Sequence, residues 1–341
     1  GNYTGTAGAQ TISFTDDQGN ALDFGTQDYK LHIKSTDNAY SHVVYYTIRG
    51  ALKEINTDRT VAELTRTDTV LAMEGTGFDL GTDVSTGWCN QSGASYVYWV
   101  EVAGDTNGAG ETDTSGTITS TVSAGKNKTI GTYVGDGNYG ATIGHRGTQD
   151  GRLPRQVIIK NLDTAVNWIV GHEALGWNKN LLLNTTGAAV TDTQFANTDP
   201  TTTLITLGSY SNINSNGDRY LFEVTYDEPD THCKVGTYEG NNSTDGAFAY
   251  MGGSPVSLTI KNADAGQQWI YKSTELSPHN QADEALFIST NNAMLASDGN
   301  MDIVSTGIKL HHANAIANNN TLVYQGYVKN RISPQHQPRG R

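Results

Sequence analysis

The chain has 341 residues, 22 Lys and Arg against 35 Asp and Glu, and a net charge of −13. That balance excludes the basic face a nucleic-acid binder needs and disfavours docking on anionic membranes. Only 17% of residues are charged; 38 Gly, 44 Thr, 29 Asn and 17 Tyr supply the polarity, a composition of short strands and tight turns rather than of helical bundles.

The first marked element is Asn2-Tyr3-Thr4-Gly5. A strand follows at 29–34 (YKLHIK), then a second apolar run, SHVVYY, containing His42. Residues 60–65 (TVAELT) are the one helix-like stretch. GFDLG ends at Leu80–Gly81, and 96–102 alternates Tyr96, Tyr98, Val100 and Val102 against Val97, Trp99 and Glu101. The stretch 105–125 is rich in Gly, Thr and Ser and reads as an exposed linker with one short strand at 117–122.

The same series then recurs. Thr132-Tyr133-Val134-Gly135 precedes a strand ending at Lys160, NWIV with Trp168, LITLG ending at Leu207–Gly208, and an alternating strand through Phe222. A third series runs from Thr237-Tyr238-Glu239-Gly240 through VSLTIK to Lys261, QWIY with Trp269, GIKL at Leu310 and a strand through Tyr324. The spacing from Lys to the downstream Leu is nearly constant: 34→80, 160→207 and 261→310. Self-similarity at a fixed period marks a repeat architecture. The expected organisation is therefore three modules, 1–104, 126–232 and 233–330, with a linker at 105–125 and an extended polar tail at 331–341.

Within each module the apolar period is two, the pattern of half-buried antiparallel strands. Short strands punctuated by Gly/Asn/Asp turns predict an all-β chain of three tandem antiparallel β-sandwiches. The register places Ile33, Ile159 and Ile260 inward and Lys34, Lys160 and Lys261 outward.

Candidate chemistry is sparse. His172-Glu173 is not followed by the second His of a zinc motif, because position 176 is Gly. His311 and His312 are adjacent and point to opposite faces of a strand. Asp105, Asn107, Glu111 and Asp113 lack the Glu that would complete a calcium loop and read as a solvated acidic loop. Gly135-Asp136-Gly137 reads as a turn. Cys89 and Cys233 could pair once; the reading taken is two free, partly buried thiols. No catalytic residue, metal site or cofactor is expected. Trp168 and Trp269 share a repeat position and read as core. Trp177 follows Gly176 in a loop and reads as the best exposed aromatic, a candidate with Trp99 and Tyr98 for contact with a glycan or partner chain.

Several segments together resemble a repeat family of virion structural proteins in tailed bacteriophages, of the tail-fibre and tail-spike type. They include GTYVGDGNYGATIGH (131–145), VIIKNLDTAVNW (157–168), LLLNTT (181–186), NSNGDRYLF (214–222), GTYEGNNSTDGAFAY (236–250) and NNNTLVYQGYV (319–328). The first copy departs from the pattern, with His42 where the others carry Trp. The resemblance implies lectin-like, jelly-roll sandwiches, a non-enzymatic role on the virion surface, contact with other virion proteins, and homo-oligomers with trimers favoured. A tail protein that binds a host surface glycan or receptor, or a bacterial adhesion protein, are the alternatives. Trimerisation is also expected from the aromatic strand 96–99, whose Tyr98 or Trp99 must face a sheet surface. The competing expectation is that a neighbouring module of the same chain covers that surface.

Overall fold

A computed structural model describes residues 1–16, 18–146, 151–227, 231–296 and 299–329. The tail expected to be extended lies outside them. The first large sheet is ordered β1 (Asn2–Thr4), β9 (Ser95–Val102), β3 (Tyr29–Ser35), β4 (Val43–Tyr46), β5 (Lys53–Asn56), β6 (Leu64–Thr65). A smaller sheet, β2 (Gln10–Ser13), β8 (Gly77–Leu80), β7 (Val70–Glu74), faces it. The second large sheet is β10 (Glu111–Asp113), β11 (Ser120–Ala124), β12 (Lys128–Val134), β19 (Arg219–Thr225), β14 (Gln156–Asn161), β15 (Ile169–His172), β16 (Lys179–Leu182), β17 (Val190–Thr191), with β13 (Ala141–Gly144) and β18 (Leu204–Leu207) as its small partner. The third is β20 (Cys233–Asn241), β27 (Asn319–Lys329), β22 (Ser254–Asn262), β23 (Ile270–Ser273), β24 (Leu286–Phe287), with β21 (Phe248–Tyr250), β26 (Gly307–Leu310), β25 (Met301–Val304) opposite. The chain is all-β and antiparallel, and no α-helix occurs among the described residues.

The registers are equivalent. Ile33, Ile159 and Ile260 pair with Tyr98, Phe222 and Tyr324, and all six are buried. Each sheet pair encloses its own apolar core, with Ile33 and Tyr98 in one, Ile159 and Phe222 in the next, Ile260 and Tyr324 in the last. Leu80, Leu207 and Leu310 close these cores from the smaller sheets.

A fourth core joins the three. Val44, Ile55 and Val97 from the first pair meet Ile158, Trp168 and Leu221 from the second and Trp269, Tyr271 and Val323 from the third. The large sheets thus pack their outer faces on one another around a pseudo-threefold axis, and β3 and β14 are buried along their whole length. This corrects the outward placement of the repeated lysines. Lys34, Lys160 and Lys261 are fully buried, because the face a lone sandwich would give to water is interior here. Each donates its ammonium to two backbone carbonyls: Lys34 to Ser35 and Asn38, Lys160 to Thr60 and Val166, Lys261 to Asn262 and Ala265. Burial lowers them to about 8, about 7 and about 8.

Two rings of hydrogen bonds close the threefold arrangement. The Trp168 indole donates to the Asn56 carbonyl at 2.9 Å, the Trp269 indole to Leu182 at 3.0 Å, and the His42 ring meets Phe287 at 3.0 Å. Asn56, Leu182 and Phe287 occupy one repeat position, each pairing with the residue after the ring donor of its own sheet. In the second ring the amides of Glu63, Ala189 and Met294 donate to the carbonyls of Leu162, Ala263 and Thr36. First binds second, second binds third, third binds first.

Two further expectations are corrected. Residues 105–125 are not a free linker: β10 and β11 extend the second sheet from β12, and Ile118, Ser120 and Val122 are buried. Asp113, read as solvated, is buried and accepts from Ser115. Residues 60–65 form no helix; Leu64 and Thr65 pair with β5, and the preceding loop crosses to the second sheet pair.

Candidate functional site

The axis carries a buried polar centre. Lys30 on β3 lies 3.0 Å from Glu101 and 3.2 Å from Glu223, and Lys128 on β12 lies 2.6 Å from Glu101 and also binds Glu223. These side chains sit on the strand face opposite the sandwich cores, which puts them where the three sheets meet. Tyr46 donates to Glu223 at 2.5 Å and Tyr327 to Glu101 at 3.0 Å, while Gln156 and Gln325 link the remaining side. Burial by itself would raise both carboxyls, but Lys128 and Lys30 outweigh it and hold them below the usual range. The same burial would lower Lys128, and the two carboxylates raise it instead. Two positive and two negative charges balance. Every carboxylate here is engaged with lysine, so the cluster fixes the sheets relative to one another and supplies no free acid or base.

A groove of about 370 Å³ opens beside this centre, between the first and third sheet pairs. Phe14, Leu22, Phe24 and Tyr98 line one side, and Val256, Tyr271 and Tyr327 the other, with Ser257, Thr274 and Glu275 adding polar groups. Its floor is the edge of β9. On that side of β9, Gly1 pairs with Tyr98 through both backbone bonds, N to O at 2.9 Å and 2.8 Å in return. Opposite Trp99, Val100 and Glu101 no strand is paired among the described residues.

The other two sheets are filled at this place. On β12, Ile130, Thr129 and Lys128 oppose Glu223, Val224 and Thr225. On β20, Val235, Lys234 and Cys233 oppose Gln325, Gly326 and Tyr327. The equivalence extends to packing: a side chain at Gly1, Gly131 or Gly236 would strike Tyr98, Phe222 or Tyr324. β1 has three residues where β12 has seven and β20 nine.

The three aromatics read from sequence as contact residues fall differently. Tyr98 and Trp99 both line the groove. Neither presents an open ring face: Tyr98 packs into its own sandwich core, and Trp99 is stacked between His32 at 3.9 Å and Tyr271 at 4.0 Å. Trp177 is not the exposed aromatic; it is 5% exposed and packs edge-on against Phe195 inside the second core. The loop reading missed that this ring folds back under Gly171, whose lack of a side chain makes the room. The coverage that made a homotrimer attractive comes from Tyr271 of the same chain. Aromatics that do face out include Tyr139 and Tyr210 in loops and, paired on β21, Phe248 and Tyr250 at 49% and 43% exposure, flanking buried Ala249. The alternation Phe-Ala-Tyr was the available signal.

His172 caps a turn by accepting from Ala174, and His311 pairs with Asp302 at 2.8 Å. Cys89 and Cys233 are both buried and not joined in a disulfide. Among the described residues no group of three or more His, Cys, Asp or Glu side chains could hold a metal.

A sequence-family model described as a domain of unknown function, DUF7483, matches residues 2–330. No curated protein and no solved structure matches the chain.

Proposed function

The chain belongs to the DUF7483 family, whose description assigns no activity, and from that premise we propose that it is a non-enzymatic structural component of a tailed-phage virion, exposed on the particle as a fibre or decoration element. The motif resemblance along the chain supplies the virion assignment. The observation that carries the structural role is the closed ring: three sandwiches held by two sets of equivalent hydrogen bonds and a common core make one stiff body from one chain. Loops at the outer ends remain free to vary and to contact other virion proteins. The test is composition and location. Purified particles encoding the chain should contain it at a fixed copy number, and virion density should hold its three-lobed shape at the surface. Particles lacking it would refute the reading.

A receptor- or glycan-contacting role is the second reading, favoured by Phe248 and Tyr250. Their rings stand on one face of β21, with Lys309 and Gly307 of β26 opposite them, an arrangement suited to stacking on a sugar beside a polar group. Host glycans retained by the chain and lost on Phe248→Ala with Tyr250→Ala would support it. Retention unchanged by that pair would count against it.

A further inference from the structure

We propose that a polar cleft at one end of the first sheet pair binds a neutral saccharide unit of hexose size. The cleft holds about 370 Å³ between the start of β3, the turn after β4 and strand β7. It shares no lining residue with the groove beside β9. The inference depends neither on the virion reading nor on Phe248 and Tyr250.

Internal comparison sets this place apart. Between β22, β23 and β25, the corresponding strands of the third sheet pair, the enclosed space is about 10 Å³. The second pair has no strand corresponding to β7 among the described residues. In the first pair the walls are built and fixed. The buried Asp28 carboxylate accepts from Gly108 N at 2.6 Å, from the Thr47 hydroxyl at 2.8 Å and from the Thr106 hydroxyl. Asn107 N donates to Thr26 O at 3.0 Å, and Asp28 N to Gly104 O at 2.7 Å. β7 carries a bulge between Val70 and Ala72, a device that re-aims side chains beside binding sites.

The lining selects the ligand. No Lys, Arg or His borders the cleft, while Asp28 and Glu74 are acidic, so an anion is disfavoured. A cation would meet Glu74 alone, because Asp28 already takes three donors. Gln27, Glu74 and Asn107 border the cleft, and their side chains make no hydrogen bond or ion pair among the described residues. Two amides and a carboxylate can both donate to and accept from adjacent hydroxyls. Ala51, Ala72 and Met73 supply the apolar strip that the C–H face of a sugar ring needs. The volume lies at the lower end of the about 300–1,000 Å³ of small-molecule sites.

The probes are D-glucose, D-galactose, D-mannose and N-acetyl-D-glucosamine, titrated into the full chain and followed by saturation-transfer NMR and calorimetry. At least one should saturate with a Kd in the millimolar range. Glu74→Gln and Gln27→Ala alter exposed side chains and should leave the Tm unchanged, and each should weaken that sugar about fivefold or more. Phe248→Ala with Tyr250→Ala should leave the affinity as it was, which separates this site from stacking on β21. The proposal is overturned if none of the four sugars saturates up to about 100 mM. It is also overturned if both cleft variants bind as the parent does, or if the β21 pair abolishes binding. Tighter, Glu74-dependent binding of 1,5-diaminopentane than of every sugar would overturn it as well, because the cleft would then be an amine site.

Discussion

His42 and Phe287 lie 245 residues apart and meet at 3.0 Å, imidazole Nε2 against a backbone carbonyl. A carbonyl only accepts, so Nε2 carries the proton, and Nδ1 is left to accept from His32 Nε2 at 2.9 Å. Burial lowers both rings well below the usual imidazole range, which keeps this neutral arrangement in place. The bond is the third member of the ring made elsewhere by Trp168 and Trp269, and it is the one that joins the first sheet pair to the last.

The ring predicts cooperative unfolding. Three independent sandwiches would melt in up to three steps, whereas a shared core couples them. Calorimetry should give one transition with equal calorimetric and van't Hoff enthalpies. Trp168→Phe keeps the ring but orphans the Asn56 carbonyl, and should cost about 1–3 kcal/mol in urea titrations. Separate transitions, with the Trp168→Phe loss confined to one of them, would show the lobes to be uncoupled.

Ile260→Ala should cost about 2–5 kcal/mol, because Ile260 is fully buried in the third core and the cavity is lined by well-packed neighbours. Ile33→Ala and Ile159→Ala should fall in the same range, since all three occupy one register position. A loss under about 0.5 kcal/mol at any of them would contradict the shared register.

The alternation that placed these isoleucines inward was legible because a one-residue slip would turn every side chain over. The opposite face was not. Lys30, Lys34, Gln156 and Lys160 have the composition of a solvent-facing strand, and only the closing of three sheets on an axis buries them. No local pattern encodes that closure; its trace is the replacement of Trp by His42 and the pairing of lysines with Glu101 and Glu223. The groove was legible in part. Tyr98 and Trp99 were singled out for their size, but what makes the groove is the approach of Val256, Tyr271 and Tyr327 from the third sheet pair, which only the closing of the sheets brings about.

Glu223→Gln should destabilise by about 3–5 kcal/mol, because Lys30 and Lys128 are then buried against Glu101 alone. Lys128→Met combined with Glu223→Leu removes one charge of each sign and should recover most of that loss. Denaturant titration of the two variants decides it. A double variant no better than Glu223→Gln would mean that geometry rather than charge balance governs the centre.

Acid and base sensitivity follow from the buried groups. Glu101 and Glu223 are depressed in the fold, so the stability they give is complete above the unfolded carboxyl value of about 4.3 and is lost as the pH falls through their folded values. Glu54 and Asp58, raised by burial, pull the other way at the acid end. Lys34, Lys160 and Lys261 are also depressed, to about 8, about 7 and about 8. Between those values and the unfolded lysine value of about 10.4 the folded chain binds fewer protons than the unfolded one, so stability rises with pH. The urea midpoint should therefore be higher at pH 9 than at pH 7, and Lys160→Met should flatten the rise. A midpoint that falls between pH 7 and 9 would contradict the burial of these amines.

The isolated chain should be a monomer in native mass spectrometry at tens of micromolar. A cyclic trimer forms when one surface of a subunit fits a different surface of the next and the rotation closes. Here all three such junctions are made within one chain: Trp168 to Asn56, Trp269 to Leu182 and His42 to Phe287. The large-sheet faces that would drive three single sandwiches together are consumed in the central core, and Trp99 is covered by Tyr271. A discrete trimer in the spectrum would point to an interface on the outer faces, and variants at Phe248 and Tyr250, two exposed aromatics on β21, would then show whether they form it.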